Sequence, residues 1–356
     1  MKILHTADIH LDEEHEERWE ALRHLVEVAE HEEADVLAIS GDLFDAEADA
    51  RRLRNDVRDA FSGISFDVVI IPGNHDAQAF QERLDFGKRA HIIKNAYEPL
   101  EYDDVVLWGL PYQQKSGEGI LETLHEMGDR MREDDRASVL LYHGELLDAF
   151  YGGRDFGDEE GRYMPVKLSY FDDVPVDCVL AGHFHGTWDR WALDNEPEGF
   201  FVYAGSPVSV TRRETAPRKA TLFTVGETPT PRELKTRYFA DVNVTLDPLE
   251  DEEDPVEVVR ARLDELPPHA APLLTVGGYV NADALGTTES EIIERLRKLA
   301  DERCVDASYP LTDASDILQD ELFDRFMEKV SKMDRSEDEQ MRMRDMMIRA
   351  MTEVRG

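Results

Sequence analysis

The sequence predicts a layered α/β domain reaching to about residue 240, followed by a small α+β subdomain and a helical tail. Three observations lead there. Short, continuous, β-rich apolar runs recur along the first two thirds of the chain. Amphipathic helical segments lie between them. After "RELKTRYFADVNVTLDP" the composition changes to an acidic, Pro-bounded stretch, "LEDEEDP", which reads as a junction.

The runs are "KILHTAD", "VLAISGD", "VVIIPGNHD", "VVLWGLPY", "SVLLYHG", "CVLAGHFH", "FFVYAGSP" and "ATLFTV". Runs of this length without polar alternation read as strands buried on both faces. Between the first two, Trp19, Leu22, Leu25, Val26 and Ala29 share one helical stripe, which predicts a covering helix. Further helices are expected over about Arg51 to Phe61 and near Gln78 to Arg89. Beyond the junction come helical "VEVVRARLDEL", strand-like "PLLTVGGYV" and "SEIIERLRKLADE", with Ile292, Ile293, Leu296 and Leu299 on one face. The expected division is 1–242, 243–312 and 313–356. The tail pairs "DILQDELFDRFMEKV" with a Met-rich helix whose stripe is Met343, Met347, Ala350, Met351 and Val354. That stripe is either a partner surface or a face packed on the subdomain.

Asp plus Glu number 78 against 40 Lys plus Arg, a net charge of -38 in a chain that is 41% hydrophobic. Regular apolar runs argue for a folded protein with an acidic shell rather than for disorder. Lys is scarcer than Arg, and such a shell suits multimolar salt, where the Debye length falls to about 3 Å and self-repulsion is screened. A halophilic protein is the expectation. Apolar segments are too short to span a membrane, and Asp8 interrupts the N-terminal run too early for a signal peptide, so a cytoplasmic location is expected. Cys178 and Cys304 have no metal-type spacing and fit a reducing compartment.

The residues able to do chemistry follow successive strands: Asp8 and His10, Asp42 and Asp45, Asn74, His75 and Asp76, His143, then His183 and His185. Side chains gathered at the carboxyl ends of strands form the usual site of α/β folds. This set suits two metal ions and phosphoester cleavage. Its oxygen and imidazole donors fit Mn, Fe or Zn better than Mg or Ca. Asp8, His10 and His185 can hold one ion and Asn74, His143 and His183 the other, with Asp42 between them. Ions about 4 Å apart activate a shared hydroxide and neutralise phosphoryl oxygens. His75 is then available to protonate the leaving oxygen, with Asp45 accepting from its other ring nitrogen. His5 reads as a core residue, and His24, His31 and His125 as helix-surface residues.

The ordered set "DIH", "GDLFD", "GNHD", "YHG" and "GHFH" resembles the calcineurin-like metallophosphoesterase superfamily over roughly residues 1 to 225. The opening "MKILHTADIHL", with "GDLFD" and "YAGSP", is similar to the SbcD family of DNA nuclease subunits. The resemblance implies a layered β-sandwich flanked by helices, with a capping subdomain. It also implies manganese-dependent 3' to 5' exonuclease and endonuclease activity on DNA in double-strand-break repair and recombination. A homodimer is implied, bound through its C-terminal helices to an SMC-like coiled-coil ATPase. The chain departs from those relatives in its acidic "DEEHEER" loop and in Asp45, where the nucleases often carry His.

DNA binding relies on basic side chains at phosphates. In this acidic chain "SVTRRETAPRKA" places Arg212, Arg213, Arg218 and Lys219 just past "YAGSP", as candidates to track a backbone. Two other readings stand beside the nuclease. One is a stand-alone phosphodiesterase acting on cyclic nucleotides or other small phosphoesters. The other is a noncatalytic binding subunit.

Overall fold

The structure, a computed structural model, describes residues 1–81, 84–115, 117–149, 163–249 and 254–355. The chain divides into two compact units, Met1–Phe239 and Ala240–Gly356.

In chain order the strands of the first unit are β1 (Lys2–Thr6), β2 (Val36–Ser40), β3 (Asp67–Ile71), β4 (Ala90–Ile92), β5 (Leu100–Glu101), β6 (Val105–Leu110), β7 (Ala137–His143), β8 (Cys178–Gly182), β9 (Asp189–Ala192), β10 (Phe200–Tyr203), β11 (Lys219–Thr224) and β12 (Thr230–Glu233). They form two six-stranded sheets, ordered β12-β11-β1-β2-β3-β4 and β5-β6-β7-β8-β10-β9. The run β1 to β4 is parallel, as are β6, β7, β8 and β10; antiparallel strands close every edge but the one formed by β4.

Successive side chains of a strand point to opposite faces, so each apolar run fills two cores at once. Val36 and Ala38 of β2 face the second sheet, together with Ile3, Val69 and Ile71, and meet Leu107, Val139, Leu141 and Leu180. Leu37 and Ile39 point the other way, onto Leu22, Leu25 and Ala29 of helix α1 (Glu16–His31). Across the molecule, Trp108, Leu140 and Val179 pack on Ile120, Leu124 and Met127. Those three belong to the later helix Gly117–Met131. The first unit is therefore a β-sandwich with a helical layer on each outer face.

Two predicted helices differ in detail. The segment after Asp45 forms α2 (Glu47–Arg52) and α3 (Arg54–Ala60), which part at Leu53; the helix Gly117–Met131 is α4. Among the described residues of the helix expected near 78 to 89, the helical part is a 3-10 turn, Ala79–Gln81. Phe80 and Phe86 both pack against Phe44, with ring centroids 6.2 and 5.9 Å away. Six residues apart they would point some 240° from each other on a helix, so regular helix would leave one of them outside the core.

The second unit carries β13 (Tyr238–Leu246), whose first two residues are counted with the first unit, then β14 (Ala270–Val280), β15 (Asp306–Ser308) and β16 (Leu311–Asp313). Its helices α5 (Pro255–Asp264) and α6 (Glu289–Arg303) cover Leu274, Val276 and Val280. Asp254 caps α5 ahead of Pro255, and Thr288 with Glu291 forms a capping box on α6. Most of the acidic junction, residues 250–253, lies outside the described residues. After a short α7 (Ser315–Leu318) come α8 (Glu321–Ser331) and α9 (Glu337–Arg355). The inner face of α9 is Met347, Ile348 and Met351, packed with Ile317, Phe323 and Tyr279. Ala350 and Val354, placed on that stripe from the sequence, are exposed. Ala350 lies about 200° from Ile348 around the helix, so burying Ile348 turns it outward.

Candidate metal centre

Because β1, β2 and β3 run parallel, as do β7 and β8, the loops leaving them emerge at one edge of the sandwich. Main-chain bonds lace the first two loops together: Asp8 N to Gly41 O at 3.1 Å, His10 N to Asp42 O at 3.0 Å and Leu11 N to Leu43 O at 2.9 Å. The sheets are joined at the same edge, where Ser40 Oγ donates to Leu180 O at 2.7 Å. Asp8, His10, Asp42 and His183 have positive φ, 56°, 53°, 49° and 91°. Left-handed backbone is costly for such residues, and it concentrates where function holds side chains in place.

Three groups of side chains converge there: Asp8 with His10 and His185, His10 with Asp42 and His75, and Asp42 with His143 and His183. Nε2 of His10 and Nε2 of His185 lie 3.1 Å apart. Asn74 Oδ1 lies 2.8 Å from His143 Nε2 and 3.1 Å from His183 Nδ1. Asp42 belongs to both sides, with Oδ2 3.2 Å from His143 Nε2 and Oδ1 accepting from His75 N at 2.9 Å. All seven residues predicted as ligands therefore meet in one place.

These donors fit metal ions. Two imidazole nitrogens about 3 Å apart are spaced like neighbouring donors around a common ion at about 2.0 to 2.1 Å. His143 Nδ1 donates to Ser40 O at 2.8 Å, which leaves Nε2 as the donor atom. Burial keeps His10 below the usual histidine range, and burial with the neighbouring His143 charge takes His183 well below it. Burial raises Asp42, yet the His143 charge and hydrogen bond outweigh it and hold the carboxyl well below its ordinary range. For His143 burial works downward, and Asp42 reverses it, pushing the imidazole up to about 9. Asp8 is raised by burial. His10 and His183 are thus favoured as neutral imidazoles and Asp42 as a carboxylate, the protonation states that metal binding needs, whereas His143, His185 and Asp8 hold their protons more tightly and would release them to an arriving ion.

Close approach explains the glycines. A Cβ on Gly41 would enter the His143 ring, one on Gly73 would meet Asp42 Oδ1, and one on Gly182 would meet Ser40 O. Asp76 lies beneath the loop, accepting from Gly73 N at 2.8 Å and Phe44 N at 3.2 Å, with its carboxyl raised by burial.

Two predicted roles differ. Nδ1 of His75 lies 2.9 Å from the main-chain oxygen of Asp45. The Asp45 carboxylate, predicted to orient that ring, lies 3.3 Å from His10 Nδ1 and 3.0 Å from Arg18 NH1. His10 and Arg18 form a compact partner for a carboxylate, and the chain turn brings the carbonyl to His75 instead. Arg218, predicted to meet substrate, is 2% exposed and donates to main-chain oxygens of Ser206, His185 and Gly186. Lys219 is half-buried at the start of β11, while Arg212 and Arg213 are exposed.

Sequence reasoning missed Glu214, buried and 3.7 Å from His185 Nδ1. Burial works to raise its carboxyl, and the contact with His185 and the other donors outweighs this, leaving it at about 2. It missed Arg18 as well, which donates to Asp12 Oδ2 at 2.8 Å and to His10 O at 2.5 Å. Neither residue stands near its partner in a recognisable spacing.

Residues 1–187 match the calcineurin-like phosphoesterase family, more than half of the chain. The protein belongs to that family. As a metallophosphoesterase it is a hydrolase of phosphoesters that uses divalent metal ions. It is 25% identical over 284 residues, covering 70% of each chain, to the SbcD component of the nuclease SbcCD of Staphylococcus saprophyticus. Among solved structures it is similar to TT1561 of Thermus thermophilus, with a TM-score of 0.44, 13% identity and coverage of 65% of this chain and 98% of that one. A dimetal phosphatase from Danio rerio gives a TM-score of 0.44 and 12% identity, covering 66% of this chain and 96% of that one. No helix among the described residues is long and apolar enough to cross a membrane.

Proposed function

We propose that this metallophosphoesterase is a DNA nuclease, a 3' to 5' exonuclease and endonuclease working with two Mn ions in double-strand-break repair. The observation that carries the hydrolytic part is Asp42, whose carboxylate is grouped with His10 on one side and with His143 and His183 on the other. The observation that favours DNA is the likeness to a nuclease component, which extends well past the matched phosphoesterase segment.

In this reading Asp8, His10 and His185 would hold one ion and Asn74, His143 and His183 the other, with Asp42 available to both. Ions bound there would supply Lewis-acid polarisation of the phosphoryl group and neutralise its charge. The chain does the rest. Donation from His143 Nδ1 to Ser40 O and from His75 N to the Asp42 carboxylate holds the donors before substrate arrives. His75, half-buried at the rim, keeps Nδ1 on the Asp45 carbonyl and turns Nε2 to carry a proton to the departing oxygen. Arg212 and Arg213 remain as candidate phosphate contacts; Arg218 does not. In the same reading residues 243–312 are the capping subdomain, α8 and α9 of the tail dock an SMC-like coiled-coil ATPase, and the nuclease works as a homodimer in the cytoplasm.

The net charge of -38 favours a second reading, a phosphodiesterase of small diesters, because a DNA backbone meets little basic surface. Hydrolysis in molar KCl with Mn separates the two, comparing end-labelled DNA with cyclic nucleotides and an aryl phosphodiester, with His75→Ala as the blank. Shortening of DNA from its 3' ends supports the nuclease. Turnover of the small diesters alone, with DNA intact at every salt and metal concentration, assigns the second function.

A further inference from the structure

We infer that Glu214 is a positioning residue of the metal centre, holding His185 with Nε2 turned toward Asp8 and His10; this rests on the two-metal reading above.

His185 meets the cluster through Nε2, 3.1 Å from His10 Nε2 and 3.7 Å from Asp8 Oδ1. Its Nδ1 is buried without a hydrogen-bond partner among the described residues and faces Glu214 Oε1 at 3.7 Å. An imidazole that offers the Nε2 lone pair carries its proton on Nδ1, and that proton needs an acceptor. Glu214 is itself fixed in place. Its Oε2 accepts from Ser206 Oγ at 2.8 Å and Val210 N at 3.0 Å, and its Oε1 from Thr211 N at 2.9 Å and Thr211 Oγ at 3.0 Å. Four donors define both the plane and the charge of the carboxylate.

Arg218 joins the two loops. It lies 3.9 Å from Glu214 Oε2 and donates to the main-chain oxygens of His185, Gly186 and Ser206. The second imidazole of the cluster repeats the arrangement. His10 Nδ1 faces Asp45 Oδ1 at 3.3 Å, Asp45 pairs with Arg18 at 3.0 Å, and Arg18 donates to His10 O. His143 in the other cluster is backed by a neutral carbonyl instead. A carboxylate that served only its own loop gives no reason for this recurrence at both rings. Backing of this kind makes the donor nitrogen more basic and is worth about 10- to 100-fold in metal affinity.

Titration of the metal-free full chain with Mn2+ in molar KCl, with free ion followed by electron paramagnetic resonance, tests this. The wild type shows two sites. In Glu214→Gln one site weakens by about 10- to 100-fold while the other keeps its constant. Thr211→Val, which removes one loop hydrogen bond and retains the charge, leaves both constants in place. A Glu214 that merely braces its loop lowers the melting temperature of both variants and changes neither constant, which overturns the inference. Should Glu214→Gln not fold, Glu214→Asp keeps the charge but draws it back from His185. The same site must then weaken, and unchanged constants in the folded variant overturn the inference. A wild type that binds no Mn2+ overturns the two-metal reading along with it, whereas two wild-type sites indifferent to Glu214 overturn the inference alone.

Discussion

His75 is held by the main chain of Asp45: its Nδ1 lies 2.9 Å from the Asp45 carbonyl oxygen, while the Asp45 carboxylate lies at His10. The two functions of residue 45 are therefore separable by mutation. In Asp45→Asn the carbonyl stays and the charge beside His10 goes. We expect this variant to need more Mn2+ for half-maximal activity, by about 10- to 100-fold, and to recover near wild-type turnover at saturating metal. His75→Ala should lose about 10²- to 10⁴-fold in kcat with its metal requirement unchanged. Activity against Mn2+ concentration in both variants checks the split. A kcat loss in Asp45→Asn that saturating metal leaves in place would count against it.

His5 bears on acid stability. It is fully buried in β1, with Nε2 3.1 Å from Ser40 Oγ, and burial takes its pKa down to about 3. The unfolded chain takes up a proton near pH 6.5, whereas the folded one resists until about 3. Stability from this group is thus complete above about pH 6.5 and falls as pH drops toward about 3, by about 1.4 kcal/mol per unit. Urea unfolding of the metal-free protein at about pH 7 and about pH 5 should show a smaller loss in His5→Gln than in wild type. Equal losses would mean that His5 is already charged in the fold.

Gly182 marks where the two sheets close on the site. A Cβ there meets Ser40 O, the Ala7 methyl and His143 Nδ1. Gly182→Ala should cost about 1 to 3 kcal/mol, as overpacking does, and should weaken Mn2+ at the Asn74, His143 and His183 group first. Denaturant midpoints with metal titration test both effects. A variant as stable as wild type with both sites intact would show that the edge opens freely.

The charge of -38 gives a salt prediction. Self-repulsion is strong at about 0.01 M salt, where the Debye length is about 30 Å, and largely screened at about 1 M, where it is about 3 Å. Melting temperature should rise steeply with KCl through the molar range. A flat profile would remove the case for a halophilic protein.

Much of this was legible beforehand because parallel strands deliver their exits to one edge. Five short motifs after five apolar runs place Asp8, His10, Asp42, Asn74, His143, His183 and His185 there with little else needed. What escaped depends on burial that only tertiary packing decides. Arg218 looks like its exposed neighbours Arg212 and Arg213 in the sequence, yet it closes beneath the His185 loop. Glu214 stands 29 positions from His185, so no local spacing links them. Phe80 and Phe86 broke an expected helix because both were needed against Phe44. Ile348 outweighed Ala350 in setting the inner face of α9.

The most direct test of the central claim is a crystal structure grown with Mn2+, with the ions located by anomalous scattering. Two peaks about 4 Å apart are expected. One should be held by Asp8, His10 and His185, the other by Asn74, His143 and His183, with the Asp42 carboxylate touching both. A single ion, or ions bound away from Asp42, would contradict the two-metal account.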